Sequence, residues 1–289
     1  MPTFPIVLAH GIARFDILLE ILRGRLQLPE TDLGDLFQYF KGIRTHLEAA
    51  GFEVFHPNQD FAGPVDLRAA QLRARVDEIL ANTGAEKVHI IAHSMGGLDA
   101  RHMIVDKGMA ERVASLTTIG TPHLGTILAD HVIDHGGFFI KEILRPVVNL
   151  EGFEDLRVGP CEQFNSRAEH QEATNGVVYQ TFASSEDLRL VFAPLLQSAV
   201  FIRDNEGRND GLVSVASQSW KKELVANDGR RKAVAQREFP MPADHLNQVG
   251  WWDPREAADP RKIFQNLFKQ KRDYENSIKA LYLEIARGL

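Results

Sequence analysis

Hydrophobic positions recur in two rhythms along the chain. Residues 4–9 (FPIVLA) form a continuous apolar run, as in a strand covered on both faces. Residues 52–55 (FEVF), 87–92 (KVHIIA), 113–119 (VASLTTI) and 177–183 (VVYQTFA) read as further strands. Between them the spacing changes to three and four. Phe37 to Ala50 predicts a helix ended by Gly51. Residues 65–82 give the clearest helix, with Val65, Ala69, Leu72, Val76 and Ile79 on one face and Arg and Asp opposite, stopped by Gly84. A helix follows from Ser94 to about Lys107, and Tyr274, Ile278, Leu281, Tyr282 and Ile285 share a face near the C-terminus. Strand and helix alternate, which predicts right-handed βαβ units and an α/β fold around a mostly parallel sheet.

From about 127 to 175 the alternation lapses. Ile140, Ile143, Leu144, Val147 and Val148 make an amphipathic stripe after the pair Gly136–Gly137. This predicts a helical insertion above the sheet, a lid or cap; an ordinary packing helix fits the same pattern. No repeat, low-complexity tract or Pro/Ser linker interrupts the chain, so residues 1–289 read as one domain carrying that insertion.

Composition narrows the function classes. The chain is 44% hydrophobic and 25% charged, which fits a globular protein rather than a disordered one. Its net charge of −6 gives no bias toward nucleic acid. The single cysteine, Cys161, excludes an internal disulfide and a cysteine-rich zinc site. The opening MPTFPIVLAHG has no basic n-region, and its apolar run is too short for a signal sequence or a membrane span. The expectation is a cytoplasmic protein, or one exported without a recognisable signal peptide in this chain.

The segment KVHIIA-H-S-M-G-G joins a buried strand to a helix through Ser94. A serine on so sharp a turn needs small neighbours at −2 and +2, here Ala92 and Gly96, with Gly97 easing the approach of helix to strand. Such a turn presents Ser94 at the carboxyl edge of the sheet and at a helix N-terminus, where ligands bind and negative charge is favoured. Serine attack on a carbonyl needs two preset N–H donors. Met95, the residue after the nucleophile, supplies one; Ile12 in the loop His10-Gly11-Ile12 after the first strand is the candidate for the other. His10 and Gly11 are expected to support that loop.

Where a strand–serine–helix elbow carries a triad, the acid follows the serine and the histidine follows the acid. His245, in PADHLNQVGWW, lies after the last strand signals and is the candidate base. His123 reads as a loop brace, His170 as exposed, and His131 with His135 as a solvated helix face rather than a metal pair. Asp210, in the tight turn RNDGLV, is the candidate acid, with Asp187 and Asp204 as fallbacks. The basic residues Lys221, Lys222, Arg230, Arg231 and Lys232 read as a solvated hairpin.

FPIVLAHG, AHSMGG, GTPHLG (120–125), NDGLV (209–213) and DHLNQV (244–249), in this order from about residue 4 to 250, resemble the bacterial true lipases of the Pseudomonas and Proteus type. The resemblance implies an α/β-hydrolase fold, Ser94–Asp210–His245 as triad, Ile12 and Met95 as oxyanion donors, and a helical lid near 127–150. The chain departs from that pattern at Ala92, where the family's motif begins with Gly. Two carboxylates that in the family often hold calcium fall at Asn247 and Ala193, so no metal or other cofactor is expected. The function expected is hydrolysis of carboxylic esters through an acyl-enzyme on Ser94, by a triacylglycerol lipase or lipase-like esterase. The expected partner is a small-molecule or lipid acyl ester, with a lipid interface left open. An acyltransferase or thioesterase on the same triad, and a silent α/β binding module, are the alternatives.

Overall fold

The computed structural model describes residues 4–11, 39–57, 63–135, 152–251 and 263–289, with side chains of the last segment from residue 269. In chain order its main elements are β1 (Ile6–Ala9), α1 (Ile43–Ala49), β2 (Val54–Phe55), α2 (Val65–Thr83), β3 (Val88–His93) and α3 (Met95–Asp106). There follow β4 (Val113–Ile119), α4 (Ile127–Asp134), α5 (Val158–Thr174), β5 (Val178–Ala183), α6 (Leu196–Glu206) and α7 (Val215–Ser219). The chain ends with β6 (Glu223–Val225), β7 (Arg231–Ala233), β8 (Ala235–Glu238) and α8 (Ile263–Arg287).

Six strands form one sheet in the order β2-β1-β3-β4-β5-β8, and every neighbouring pair is parallel. The period of two along a strand divides its residues between two cores. On β1, Ile6 and Leu8 join α1, α6 and α8 on one face, through Ile43, Leu47, Ile202, Ile278 and Tyr282. Val7 and Ala9 join α2, α3 and α5 on the other, through Leu72, Val76, Met103, Phe164 and Ala168. This is the alternating α/β architecture that the two rhythms predict, with both sheet faces covered.

Element bounds differ from the sequence reading in small ways. The first strand starts at Ile6, and within the helix expected from Phe37 the regular turns run from Ile43; Phe37 itself lies outside the described residues. Arg68, expected on the polar face of α2, is buried instead, because Asp99 on α3 meets it at 3.0 Å and Asp155 also at 3.0 Å. The strand β8 carries no apolar run: Ala235, Arg237 and Glu238 are exposed at the sheet edge. Lys221, Arg230, Arg231 and Lys232 do lie on or beside the β6–β7 hairpin, where Arg231 pairs with Glu223, Arg230 with Asp228 and Lys221 with Glu169.

The segment expected as an insertion, 127–175, is of mixed character. Its second half, α5, is an ordinary crossover helix, burying Phe164 and Ala168 against the sheet core. The stripe at 140–148, with Gly136 and Gly137, lies outside the described residues. Among the described residues, no helix is long and apolar enough to cross a membrane.

Candidate active site

Four loops reach one end of the sheet because its strands run parallel: each strand hands its C-terminus to the same edge. After β1 come His10 and Gly11, after β3 comes Ser94, after β4 comes the segment 120–125, and after β8 comes His245.

Ser94 sits at φ 56° and ψ −135°, one of two described non-glycine residues with positive φ. The turn is held on both sides: the Ser94 N–H donates to the Ile119 carbonyl at 2.8 Å, and Thr121 Oγ1 donates to the Ser94 carbonyl at 2.8 Å. A Cβ on Gly96 would fall 2.5 Å from the His10 carbonyl oxygen, so the +2 position admits no side chain. Gly97 makes room for the Thr121 side chain rather than for a strand. Ala92, the departure at −2, is fully buried without disturbing the β3 pairing to β1 and β4.

Ser94 Oγ lies 2.8 Å from His245 Nε2, and His245 Nδ1 lies 2.7 Å from Asp210 Oδ2. All three residues are buried. Asp210 stands in a turn capped by its neighbour, since Asn209 Oδ1 accepts the Gly211 N–H at 2.9 Å. Its own Oδ1 accepts the N–H groups of Leu212 at 3.0 Å and Val213 at 2.8 Å. The His245 N–H donates to the Asp210 carbonyl at 2.8 Å, so main chain as well as side chain joins the two loops. The fallback acids stand elsewhere: Asp187 is ion-paired with Arg189 and Asp204 with Arg203, both exposed.

Of the oxyanion candidates, Met95 is the first residue of α3, so its N–H has no acceptor within the helix. Ile12 lies outside the described residues. His10 is buried, meets the Tyr39 ring at a tilt and the His56 ring edge-on, and is pulled by burial down to a pKa of about 4, which keeps it neutral. His123 braces the β4 loop: it is buried, bonded to Thr118 Oγ1 at 2.8 Å and stacked on Trp220. His131 and His135 stack on each other along α4, and His131 also meets Phe201.

Beside Ser94 and His245 opens an apolar hollow lined by Pro122, Leu128, Phe153, Leu156, Leu212 and Val213. Asn247 spends its Oδ1 on the Asp244 N–H and its Nδ2 on the Trp251 carbonyl, and Ala193 has no side-chain oxygen. The nearby Asp244 carboxylate accepts three backbone N–H groups, from Leu246, Asn247 and Phe192. Among the described residues, no cluster of three or more His, Cys, Asp or Glu side chains has the arrangement of a metal site.

The sequence reading missed Gln248, His93, Tyr39 and Ser184. Gln248 Nε2 donates to Asp210 Oδ2 at 2.8 Å and to Ser184 Oγ at 2.7 Å, and its Oε1 lies 2.8 Å from His93 Nε2. Tyr39 OH lies 2.6 Å from His93 Nδ1. A usable signal existed for one of them: Gln248 lies one turn after His245, on the same side of that turn.

Relatives, a solved structure and a family model bear on identity. The sequence is 38% identical over 135 residues to a triacylglycerol lipase of Pseudarthrobacter phenanthrenivorans, a match covering 45% of this chain and 37% of the relative. The chain thus spans little more than a third of that relative's length. With triacylglycerol lipase 2 of Saccharomyces cerevisiae it shares 26% identity over 283 residues, 86% of this chain and 81% of that one. The mature form of a Bacillus licheniformis lipase superposes with a TM-score of 0.60 at 19% identity, over 84% of this chain and 85% of that one. The family model for the alpha/beta hydrolase fold matches residues 5–174. With more than half of the sequence matched and the parallel sheet, elbow and loop order in agreement, the chain belongs to the alpha/beta hydrolase fold family.

Proposed function

We propose that this protein hydrolyses carboxylic esters through an acyl-enzyme on Ser94, as a lipase or lipase-like esterase. The observation that carries the reading is the unbroken line Ser94 Oγ–His245–Asp210, at 2.8 and 2.7 Å, on a strained strand-to-helix turn. In this mechanism Ser94 donates its proton to His245 Nε2 as Oγ attacks the acyl carbon. Asp210 Oδ2 accepts from His245 Nδ1–H and so holds the ring in the tautomer whose Nε2 is free to accept. The ester bond to the alcohol breaks, and His245 returns the proton to the departing alkoxide. Water then repeats the cycle against the acyl-enzyme and releases the acid. The N–H groups of Met95 and Ile12 take the developing oxyanion, each contributing roughly 3 kcal/mol to the barrier reduction.

The apolar lining beside Ser94 suits an acyl group rather than a charged one, and lipase names among the relatives support the ester class. Within the family, the motifs AHSMGG, GTPHLG, NDGLV and DHLNQV favour the bacterial true lipases of the Pseudomonas and Proteus type. We read the chain as one domain and as working without calcium. The test is hydrolysis of p-nitrophenyl esters together with covalent labelling by a fluorophosphonate. Ser94→Ala is expected to lose both, with turnover falling roughly ten-thousandfold or more. Full hydrolysis by the folded variant would exclude Ser94 as nucleophile.

A further inference from the structure

Behind the three side chains just described runs a second chain of buried groups, and its bond directions follow from elementary chemistry. An ionised carboxylate accepts only, so the face of Gln248 toward Asp210 Oδ2 must be its NH2 group. The second hydrogen of that group goes to Ser184 Oγ, whose own hydroxyl donates to the Ala243 carbonyl at 2.7 Å. Gln248 Oε1 therefore faces His93 Nε2 and accepts its N–H. His93 is neutral, because burial depresses its pKa well below the ordinary imidazole value. Its Nδ1 then accepts the Tyr39 hydroxyl. Tyr39 in turn is hydrogen-bonded by the backbone of Gly11, in the loop after β1. Every link between Gly11 and Asp210 has one permitted polarity.

The fold also keeps a space for this amide. Gly120, at φ 58° where β4 ends, is packed so closely that a Cβ there would collide with Gln248 Oε1. The backbone of Gln248 is fixed as well, its N–H by the Asp244 carbonyl at 3.1 Å and its carbonyl by the Tyr282 hydroxyl at 3.0 Å. With Gln248 in place, Asp210 has four donors for its two oxygens: Leu212 and Val213 on Oδ1, His245 and Gln248 on Oδ2. A buried carboxylate so surrounded has neither an open lone pair nor freedom to rotate.

We propose that Gln248 is a positioning residue: its amide sets the charge and orientation of Asp210 toward His245 and, through His93 and Tyr39, locks the acid to the Gly11 loop. This rests on the reading of Ser94, His245 and Asp210 as the reacting groups. The titratable groups at the amide are Asp210 and His93 from β3; Asp244 through its carbonyl and Tyr282 from α8 meet the Gln248 main chain, His245 packs against His93, and Tyr39 lies behind His93.

Three variants test it. Gln248→Leu keeps the bulk and removes both donors. Its kcat for a soluble p-nitrophenyl ester should fall about tenfold, with KM unchanged within about twofold, since orientation in the transition state and not binding is lost. The acidic limb of its kcat/KM profile should move to higher pH, because Asp210 then gives its full charge to the imidazolium. Gln248→Glu keeps the shape and the bond to His93. Once its carboxyl ionises it adds a second negative charge beside Asp210 and the imidazole of His245, so the acidic limb of its kcat/KM profile should move to higher pH, further than in Gln248→Leu. Tyr39→Phe should change the profile in the same direction as Gln248→Leu, by less. The downfield proton resonance of His245 Nδ1–H, seen by NMR without turnover, should shift or vanish in Gln248→Leu. A folded Gln248→Leu with wild-type kcat, profile and resonance overturns the proposal; if that variant fails to fold, an unaltered profile in Gln248→Glu does so. Retention of hydrolysis by Ser94→Ala would instead overturn the reading of the site, and the Nδ1–H resonance would still decide the role of Gln248.

Discussion

At Ser94 the chain adopts φ 56° with a side chain attached, a conformation that costs about 1–3 kcal/mol. Bonds from Ile119 and Thr121 hold it there, and the absence of a side chain at Gly96 lets α3 come down on the His10 carbonyl. The same residue scale decides between the candidate acids. Asp210 is fully buried against His245, whereas Asp187 lies at the surface, its pKa lowered first by the hydrogen bond from Arg189. Asp210→Asn is therefore expected to cut kcat about ten-thousandfold, the wrong tautomer of His245 being favoured, while Asp187→Asn leaves it near wild type. Steady-state rates with a soluble ester settle the choice, and the reverse pattern would move the acid to the 187 loop. In the sequence Asp210 lies in the turn RNDGLV, whereas Asp187 lies in SSEDLRL. Only Asp210 has the Asn209 cap and the Leu212 and Val213 amides, which form once the turn is folded.

At the scale of elements, the loop bearing His245 is fastened by protein groups. The Asp244 carboxylate gathers the N–H groups of Leu246 and Asn247 within the loop and of Phe192 across from it. Tyr274 and Tyr282 on α8 reach the same region through the carbonyls of Pro242 and Gln248. With the loop proposed to be held by these protein groups without calcium, a chelator in excess is expected to leave Tm and ester hydrolysis unchanged. A fall in Tm of several degrees with chelator, reversed by calcium, would show a cation bound to the native state. Strongly periodic elements were legible in the sequence: α2, β3, β4 and the C-terminal stripe of Ile278, Leu281, Tyr282 and Ile285 match their patterns. β8 was not legible, because an edge strand with exposed Ala235, Arg237 and Glu238 leaves no periodic apolar trace. The burial of Arg68 was hidden too, since its partners Asp99 and Asp155 stand on other elements.

For the whole molecule, buried ionisable groups set how stability varies with pH. Burial holds His10 at about 4, His56 at about 3 and His102 at about 4, and lowers His89, His93 and His123 as well. Each binds a proton more readily once unfolded, so each adds stability above its ordinary value near 6.5 and withdraws it as pH falls toward its folded value. Burial raises Asp99 to about 7, Glu186 to about 7 and Asp244 to about 6, which acts in the opposite sense, lowering stability as pH rises from about 4 toward 7. The histidines outnumber the carboxyls, so denaturant unfolding is expected to give a larger free energy at pH 7 than at pH 4.5. Glu186→Gln should raise stability at pH 8 and leave it nearly unchanged at pH 4; equal effects at both would show that its carboxyl carries no such shift. The alternation of apolar strand runs and helical stripes, with glycines at their ends, determined by itself the α/β alternation and the elbow at Ser94, because these depend on neighbours close in the chain. Tertiary structure brought Asp210, among the aspartates the sequence offered, to His245, and it alone placed Gln248, His93 and Tyr39 behind it. Those contacts join residues far apart in sequence, and a hydrogen bond of that kind leaves no periodic mark on either partner.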